Sequence, residues 1–192
     1  MEETAAVRAR ILEEAARLFT VRGYAGLSMR EVAEAAGVSK AGIYYHFQDK
    51  ENLFLAVLAA SLERLEGLIL SARQEGATAR EQVRAVMRAI LAQAPEQRNI
   101  IRLASQEMAR LSQAARVSFG RLYHEKFIGR VEEVLREGIA RGELRPVDAR
   151  LAAWMLLGMA YPFLYQAHEK ELGPPAAAVD LMVSVFFDGI AR

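Results

Sequence analysis

Between Ser39 and Phe47 the chain reads SKAGIYYHF. Ile43 and Phe47 are four apart, so they share one helix face and point to a core. Lys40, Tyr44, Tyr45 and His46 are left on the other faces. No second metal ligand accompanies His46. What remains is a helix that presents a cation, two phenols and an imidazole outward, with the small Ala41 and Gly42 in its first turn. Such a helix brings its backbone close to base edges. Ala41 suits a thymine methyl, and Lys40 stands at the end expected to enter a major groove.

The residues upstream supply the frame. Ser28-Met-Arg-Glu31 is a capping box: the Ser hydroxyl accepts from the backbone N–H three residues on, and the Glu reaches back. Val32 and Ala36 form the buried side of the helix it starts. Gly37 closes that helix, and Ser39 caps the next. Two short helices joined by a tight glycine turn, the second with a polar and aromatic outer face, make a helix-turn-helix fit for a DNA groove. Arg30 lies in the first turn of the earlier helix, where the helix dipole disfavours a cation by up to ~1 kcal/mol. It is either a solvated surface residue or a guanidinium that reaches a guanine edge or a phosphate. Lys50 follows Asp49 at the start of a fourth helix, and its charge with the free N–H groups there would hold a phosphate. Ser28 would donate to another phosphate while capping. Residues 1–50 carry seven basic and seven acidic side chains, so positive charge must gather on one face rather than cover the domain.

At 192 residues the chain is long enough for one large domain, or for a small plus a medium one. Formal net charge is +1, so bulk charge argues nothing about nucleic acid. Good helix formers prevail and runs of Val, Ile and Thr are scarce, which makes all-α the expected class. Cysteine is absent, which excludes a disulfide framework and thiolate metal sites. His124-Glu125 and His168-Glu169 lack the second His of HExxH, and there is no Gly-rich phosphate loop, GxSxG or Cys nucleophile. An enzyme is therefore not expected, nor a metal or other cofactor. The opening MEETAAVRAR lacks the apolar centre of a signal peptide. The uncharged run 151–167 is shorter than the ~20 residues a membrane span needs, and Pro162 interrupts it. A soluble, cytoplasmic protein without membrane association is expected.

Val7, Ile11, Ala15, Leu18 and Phe19 recur at three- and four-residue steps and mark a first helix over about 4–22, ended by Gly23 in a left-handed position. Asp49 is the expected cap of the fourth helix, whose stripe runs Leu53, Phe54, Val57, Ser61, Leu62, Leu65 and Leu68. Gly76-Ala-Thr78 precedes a fifth helix, about 79–94, which Pro95 stops. A sixth is expected over 97–111 and a seventh over 115–141. An eighth begins near Val147, with Pro146 suited to its first turn, and either kinks or ends at Pro162. A last helix takes 176–190. The organisation is thus a helix-turn-helix domain over 1–48 and a helical body over 49–192, about nine helices in all.

Leu18-Phe19, Gly23-Tyr24, the run from Ser28 to Phe47 and Lys50-Glu-Asn-Leu53 together resemble the N-terminal domain of the TetR family of transcriptional regulators. The detailed match covers about residues 7–58. The remainder is similar in helix number, helix lengths and an apolar penultimate helix after a Gly-Glu-Leu-Arg-Pro connector. The resemblance implies an all-helical homodimer that represses promoters and releases DNA when a small molecule enters its C-terminal body. It implies a base-reading role at Arg30 and phosphate or sugar contacts at Tyr44 and His46. Tyr45 either joins them or packs at the helix edge. The DNA-facing set is then Ser28, Arg30, Ser39, Lys40, Ala41, Gly42, Tyr44, Tyr45, His46 and Lys50, acting on double-stranded DNA with a palindromic operator.

A palindrome needs two copies of the motif related by a two-fold axis, hence a dimer interface. Leu151, Met155, Gly158 and Met159 of the eighth helix, and Val179, Met182, Val185, Phe186 and Gly189 of the last, offer apolar faces for it. The near-total lack of charge on these helices argues burial on more than one side. A ligand site between the fifth and eighth helices would draw on Met87, Ile90, Ile101, Met108, Phe119, Leu122, Tyr123, Phe127, Trp154, Tyr161 and Tyr165, each of which, taken singly, is better explained as core. Arg102, Arg121 and His124 would meet an anionic group or are surface charges. An aromatic and Met-rich lining without an acidic cluster points to a fatty or aromatic acid, or its coenzyme A thioester. The same residues fit an activator, or a regulator controlled by a protein partner instead of a small ligand.

Overall fold

The computed structural model describes residues 2–94, 97–98, 103–104, 106–164 and 175–190. The fold is all-α. In chain order the helices are α1 (Glu2–Arg22), α2 (Met29–Ala35), α3 (Lys40–His46), α4 (Lys50–Ala72), α5 (Ala79–Leu91), α6 (Gln113–Tyr123), α7 (Gly129–Ala140), α8 (Ala149–Ala160) and α9 (Pro175–Ile190). Short 3-10 turns follow α4 (Arg73–Glu75), precede α6 (Met108–Arg110) and follow α8 (Tyr161–Leu164). The π turn His124–Ile128 joins α6 to α7, so the expected seventh helix is one run with a π turn inside it. Of the expected sixth, residues 97–98, 103–104 and 106–107 are helical, and the rest lies outside the described residues or in the 3-10 turn. Two compact units are distinguished: Met1–Ser61 with Asn99–Gly120, and Leu62–Arg98 with Arg121–Arg192.

In the first unit, local caps set the helix starts. The Ser28–Glu31 capping box is complete, and the Ser39 hydroxyl accepts from the Gly42 N–H at 3.0 Å. The Asp49 carboxylate accepts from the Asn52 N–H at 2.8 Å, as the start of α4 requires. Gly23 and Gly37 take φ of +70° and +62°, a region that costs other residues a Cβ clash, and so end α1 and α2. α1 packs on α2 and α2 on α3. Ile11, Ala15, Phe19, Val32, Ile43, Phe47, Leu53 and Phe54 are buried between them. The Phe19 and Phe54 rings meet edge to face with centroids 4.9 Å apart. Full burial of each such side chain contributes roughly 1.5–3 kcal/mol, which is what a unit built on seven-residue helices needs.

In the second unit α5 packs on α9 and on α7, and α7 packs on α8. Val83, Met87 and Ile90 of α5 meet a core that includes Ile69, Val131, Val134, Leu135, Leu156, Val179 and Val183. α5 starts on a Thr78–Glu81 capping box and ends at Leu91, short of the expected 94. α8 starts later than expected, because the Asp148 carboxylate caps it by accepting from the Leu151 N–H at 2.9 Å, and Pro146 lies ahead of the cap. α8 ends at Ala160 and gives way to the 3-10 turn that contains Pro162. The proline ring and missing N–H account for that ending. On α4 the buried positions late in the helix are Ile69 and Ala72, while Leu65 and Leu68 are half-buried; a 3.6-residue period carries the stripe round by that point.

Candidate nucleic-acid interface

α3 buries Ile43 completely and leaves its opposite face in solvent. Tyr45 is 78% exposed and Tyr44 46% exposed, so neither is core scaffold. Lys40 and Ala41 are exposed beside them. The His46 ring is half-buried, edge-on to Tyr45 at 5.1 Å. Gly42 sits so close to its cap that a Cβ there would come 3.3 Å from the Ser39 Oγ. Lys40 and Tyr44, the α1–α2 connection, Arg30 and Lys50 line an open cleft of about 610 Å³. The Tyr44 phenol and the Lys40 ammonium at that cleft present donors and a flat face to phosphate, sugar and base edge.

The cations of this unit are mostly spoken for within it. Arg10 donates to the Ala36 carbonyl at 2.8 Å and so satisfies the end of α2. Arg17 pairs with Glu14, Arg22 with Glu31 and Arg30 with Glu34, at 2.7, 2.7 and 2.8 Å. The Arg8 guanidinium lies 5.2 Å over the Phe47 ring. Among the described residues of α2 and α3, Lys40 is the cation with no ionic or hydrogen-bond partner. Of the seven cations in residues 1–50, three are ion-paired, two serve backbone carbonyls, one lies over a ring, and Lys40 is left facing solvent.

Two expected phosphate contacts meet prior commitments. The Lys50 Nζ donates to the carbonyls of Tyr24 and Leu27 at 2.9 and 3.0 Å and lies 4.5 Å from the centre of the Tyr24 ring. Those carbonyls belong to the connection between α1 and α2, where no helix supplies partners, so the ammonium serves as their donor. The Ser28 hydroxyl donates to Glu31 at 2.6 Å and accepts from the Glu31 N–H at 3.3 Å. The Ser28 hydroxyl and N–H, and then Arg22, hold the Glu31 carboxyl down at about 2. Arg30, 80% exposed on its side chain, would have to leave Glu34 to reach a base.

Three residues outside the expected set also shape this region. The Tyr24 ring meets that of Phe54 at a tilt, with centroids 5.1 Å apart. The Glu107 Oε1 accepts from the Tyr24 N–H at 3.2 Å. Glu51 accepts from the Ser112 N–H and hydroxyl at 2.7 and 2.8 Å. These partners lie 83 and 61 residues apart, so no local pattern marks them.

Residues 11–57 match the model of bacterial regulatory proteins of the tetR family, and residues 76–161 match that of the tetracyclin repressor-like C-terminal domain. AibR, solved in complex with isovaleryl coenzyme A and operator DNA, is 30% identical with a TM-score of 0.74, over 93% of this chain and 97% of AibR. The chain belongs to the TetR family. It is a DNA-binding transcriptional regulator with the helix-turn-helix at its N-terminal end. PfmR, a TetR-family regulator from Thermus thermophilus, is 28% identical with a TM-score of 0.75, over 95% of this chain and all 100% of PfmR. The transcriptional repressor AcnR of Corynebacterium glutamicum is 44% identical over 62 residues, and that match spans 33% of AcnR's length and 32% of this chain.

The TetR C-terminal helices sort the expected dimer and ligand residues by burial. Leu151, Trp154, Met155 and Gly158 form an exposed stripe on α8, and Leu181 and Val185 stand out from α9 at 68% and 57% exposure. Gly189 is exposed and Met159 half-buried. Val179, Met182 and Phe186, expected at the same interface, are buried within their own unit on the inner side of α9. Asp180 and Asp188 mark the border of that side. Asp180 pairs with Arg84 and Arg88 at 3.1 and 2.8 Å, and Asp188 with Arg80 at 3.0 Å, so the acidic edge of α9 faces α5.

Of the expected ligand residues, Met87, Ile90 and Phe127 are buried in the second unit, with Leu122 and Tyr123 half-buried. Phe119 is buried and Met108 half-buried in the first. Trp154 and Tyr161 are exposed, which moves Trp154 from the interior to the surface stripe of α8. Ile101 and Tyr165 lie outside the described residues, as does Arg102. Met87 lines a wholly apolar gap with Ile69, Val83, Val86, Val131, Val134 and Leu156 that has no room for a water. The Tyr123 ring meets Phe127 edge to face at 5.3 Å. Burial, and then the neighbouring Tyr161, pushes the Tyr123 hydroxyl up to about 12, so it stays a neutral donor and acceptor at any physiological pH. Among the described residues no helix is long and apolar enough to cross a membrane.

Proposed function

We propose that this regulator is a cytoplasmic homodimeric repressor. On this reading it binds a palindromic operator through two copies of α3 and releases it when an apolar acid, or that acid's coenzyme A thioester, enters the C-terminal helical body. The observation that carries the reading is the outer face of α3: Tyr44 and Tyr45 exposed, and Lys40 without an internal partner, on a helix whose other face is anchored by Ile43 and Phe47. Lys40, Tyr44, Tyr45 and His46 contact phosphate and sugar, Ala41 and Gly42 let the backbone approach the bases, and Arg30 turns from Glu34 to a guanine. Ser28, Ser39 and Lys50 hold the frame from which they reach.

Two copies are needed because one α3 reads only a half-site. The exposed apolar stripe of α8 and the outer positions of α9 supply a surface that a second copy would cover. The effector class is supported by AibR, 30% identical over nearly its whole length and solved in complex with isovaleryl coenzyme A and operator DNA. The apolar and aromatic composition around Met87, Ile90, Tyr123 and Phe127 suits an acyl chain.

Selection of genomic fragments by the full chain tests the whole reading. A palindrome should be enriched, and short- and long-chain acyl coenzyme A added to the purified complex should release it. Enrichment of no sequence would refute DNA reading. A bound palindrome that no acyl or aromatic acid or thioester releases would leave the regulator and remove this effector class.

A further inference from the structure

The connection from α1 to α2 leaves several backbone groups outside any helix, and each of those below is satisfied from far along the chain. The Tyr24 N–H is taken by Glu107, and the Tyr24 and Leu27 carbonyls by Lys50. Gly23 makes the first of these contacts accessible, since a Cβ there would stand 3.1 Å from the Glu107 Oε1. The Glu107 side chain is only 14% exposed, and its second oxygen lies 2.9 Å from the Arg110 Nε as an ion pair without hydrogen-bond alignment. Five residues on, Ser112 caps α6 by accepting from the Ala115 N–H at 3.2 Å and gives its own N–H and hydroxyl to Glu51 in the first turn of α4. The stretch 107–112 is therefore fastened at two points: to the turn that delivers Ser28 and α2, and to the start of α4 beside Lys50.

We propose that Glu107 and Glu51 are positioning residues for DNA reading. Neither lines the cleft formed by residues 25–31, Lys40, Tyr44 and Lys50. Both hold the backbone on which that cleft is built. Glu107 fixes the N–H side of Tyr24 while Lys50 fixes its carbonyl side, so the peptide units flanking Tyr24 are pinned in direction. That direction sets where Ser28, and with it the first turn of α2 carrying Arg30, meets the duplex. A charge-assisted hydrogen bond is the strong kind, and here it acts with the Lys50 ammonium on the two sides of one residue of a short connection. The inference rests on the DNA-reading role of α2 and α3.

The test uses the full chain and a duplex that the wild type selects from a random-sequence pool. Affinity is read by fluorescence anisotropy, corrected for active fraction, with thermal midpoint and oligomeric state measured alongside. Glu107→Ala should weaken binding about tenfold, which is ~1.4 kcal/mol, with the salt slope unchanged because no phosphate contact is lost. Glu107→Gln, whose amide oxygen still accepts from the Tyr24 N–H, should recover most of the loss. Ser112→Ala should weaken binding in the same direction. Hydrogen exchange at the Tyr24 amide of the wild type reads the bond without any substitution, and protection is expected. Glu107→Ala binding within twofold of wild type while Lys40→Ala binds weakly would overturn the proposal and leave the DNA-reading role standing. An unprotected Tyr24 amide, or a Glu107→Gln variant as weak as the alanine one, would overturn it too. A wild type that enriches no duplex would remove the DNA reading itself, and this inference with it.

Discussion

The Lys50 ammonium is held by both halves of Tyr24: its Nζ lies 2.9 Å from the carbonyl oxygen and 4.5 Å from the ring centre. The same ammonium reaches Leu27. A lysine at the start of a helix in a DNA-binding unit reads as a phosphate clamp, yet here it is first of all a donor to an otherwise unserved turn. Lys50→Met should therefore act on stability before it acts on charge. We expect a loss of about 1–3 kcal/mol, because two carbonyls lose a charged donor. Denaturant melts of the full chain check this. The slope of log affinity against log salt should change by well under the ~0.9 that one lost phosphate contact produces.

Lys40 and Tyr44 should behave in the opposite way. Lys40→Ala should leave the thermal midpoint and oligomeric state unchanged, weaken operator binding, and lower the salt slope by about 1. Tyr44→Ala should weaken binding with a smaller change in slope. Because most cations of the unit are paired internally, the wild-type slope should stay below ~10. Anisotropy titrations at several salt concentrations read all three numbers, and a steeper wild-type slope would show that the internal pairs open on DNA.

The capping box of α2 makes a pH signature. Glu31 titrates at about 2 in the folded chain against an ordinary 4.5. A depressed folded value stabilises the fold above the unfolded value, and that contribution fades as pH falls from about 4.5 through 2. Glu31→Gln removes the charge at every pH. The thermal midpoint of the wild type should exceed that of the variant at pH 5, with the gap closing toward pH 2. A gap that stays constant over that range would show that the carboxylate's charge is not what the box uses.

The outer faces of α8 and α9 should govern assembly. Leu181→Glu places a charge at a position 68% exposed in one chain, so the folded protomer tolerates it. At a covered interface the same charge is desolvated without a partner. We expect at least a tenfold rise in dimer dissociation constant, measured by analytical ultracentrifugation, with the thermal midpoint of the separated protomer retained. Trp154→Ala should shift the same equilibrium in the same direction. Unchanged sedimentation of both variants would place the interface elsewhere.

Short-range rules made much of this protein readable in its residues alone. Ser28 with Glu31, Ser39 with Gly42 and Asp49 with Asn52 are bonds across three residues, and a capping pattern needs nothing more distant. Ile43 is the apolar position inside α3 and had to face the core, which leaves Tyr44 and Tyr45 outward, while Phe47 is buried as the extended C-cap that ends the helix and Lys40 is exposed at its first position. Tertiary structure decided what became of the longer-reaching groups. Lys50 found carbonyls 26 and 23 residues back, Glu107 an amide 83 residues back, and Arg80, Arg84 and Arg88 the aspartates on the edge of α9, whose Val179 and Phe186 are buried and whose Leu181 and Val185 are exposed. α9 carries apolar residues on both flanks of its Asp180, Ser184 and Asp188 stripe, so periodicity alone does not choose which flank is buried. That choice belongs to whichever helix it packs on, and it is made by contacts that exist only once the chain has folded.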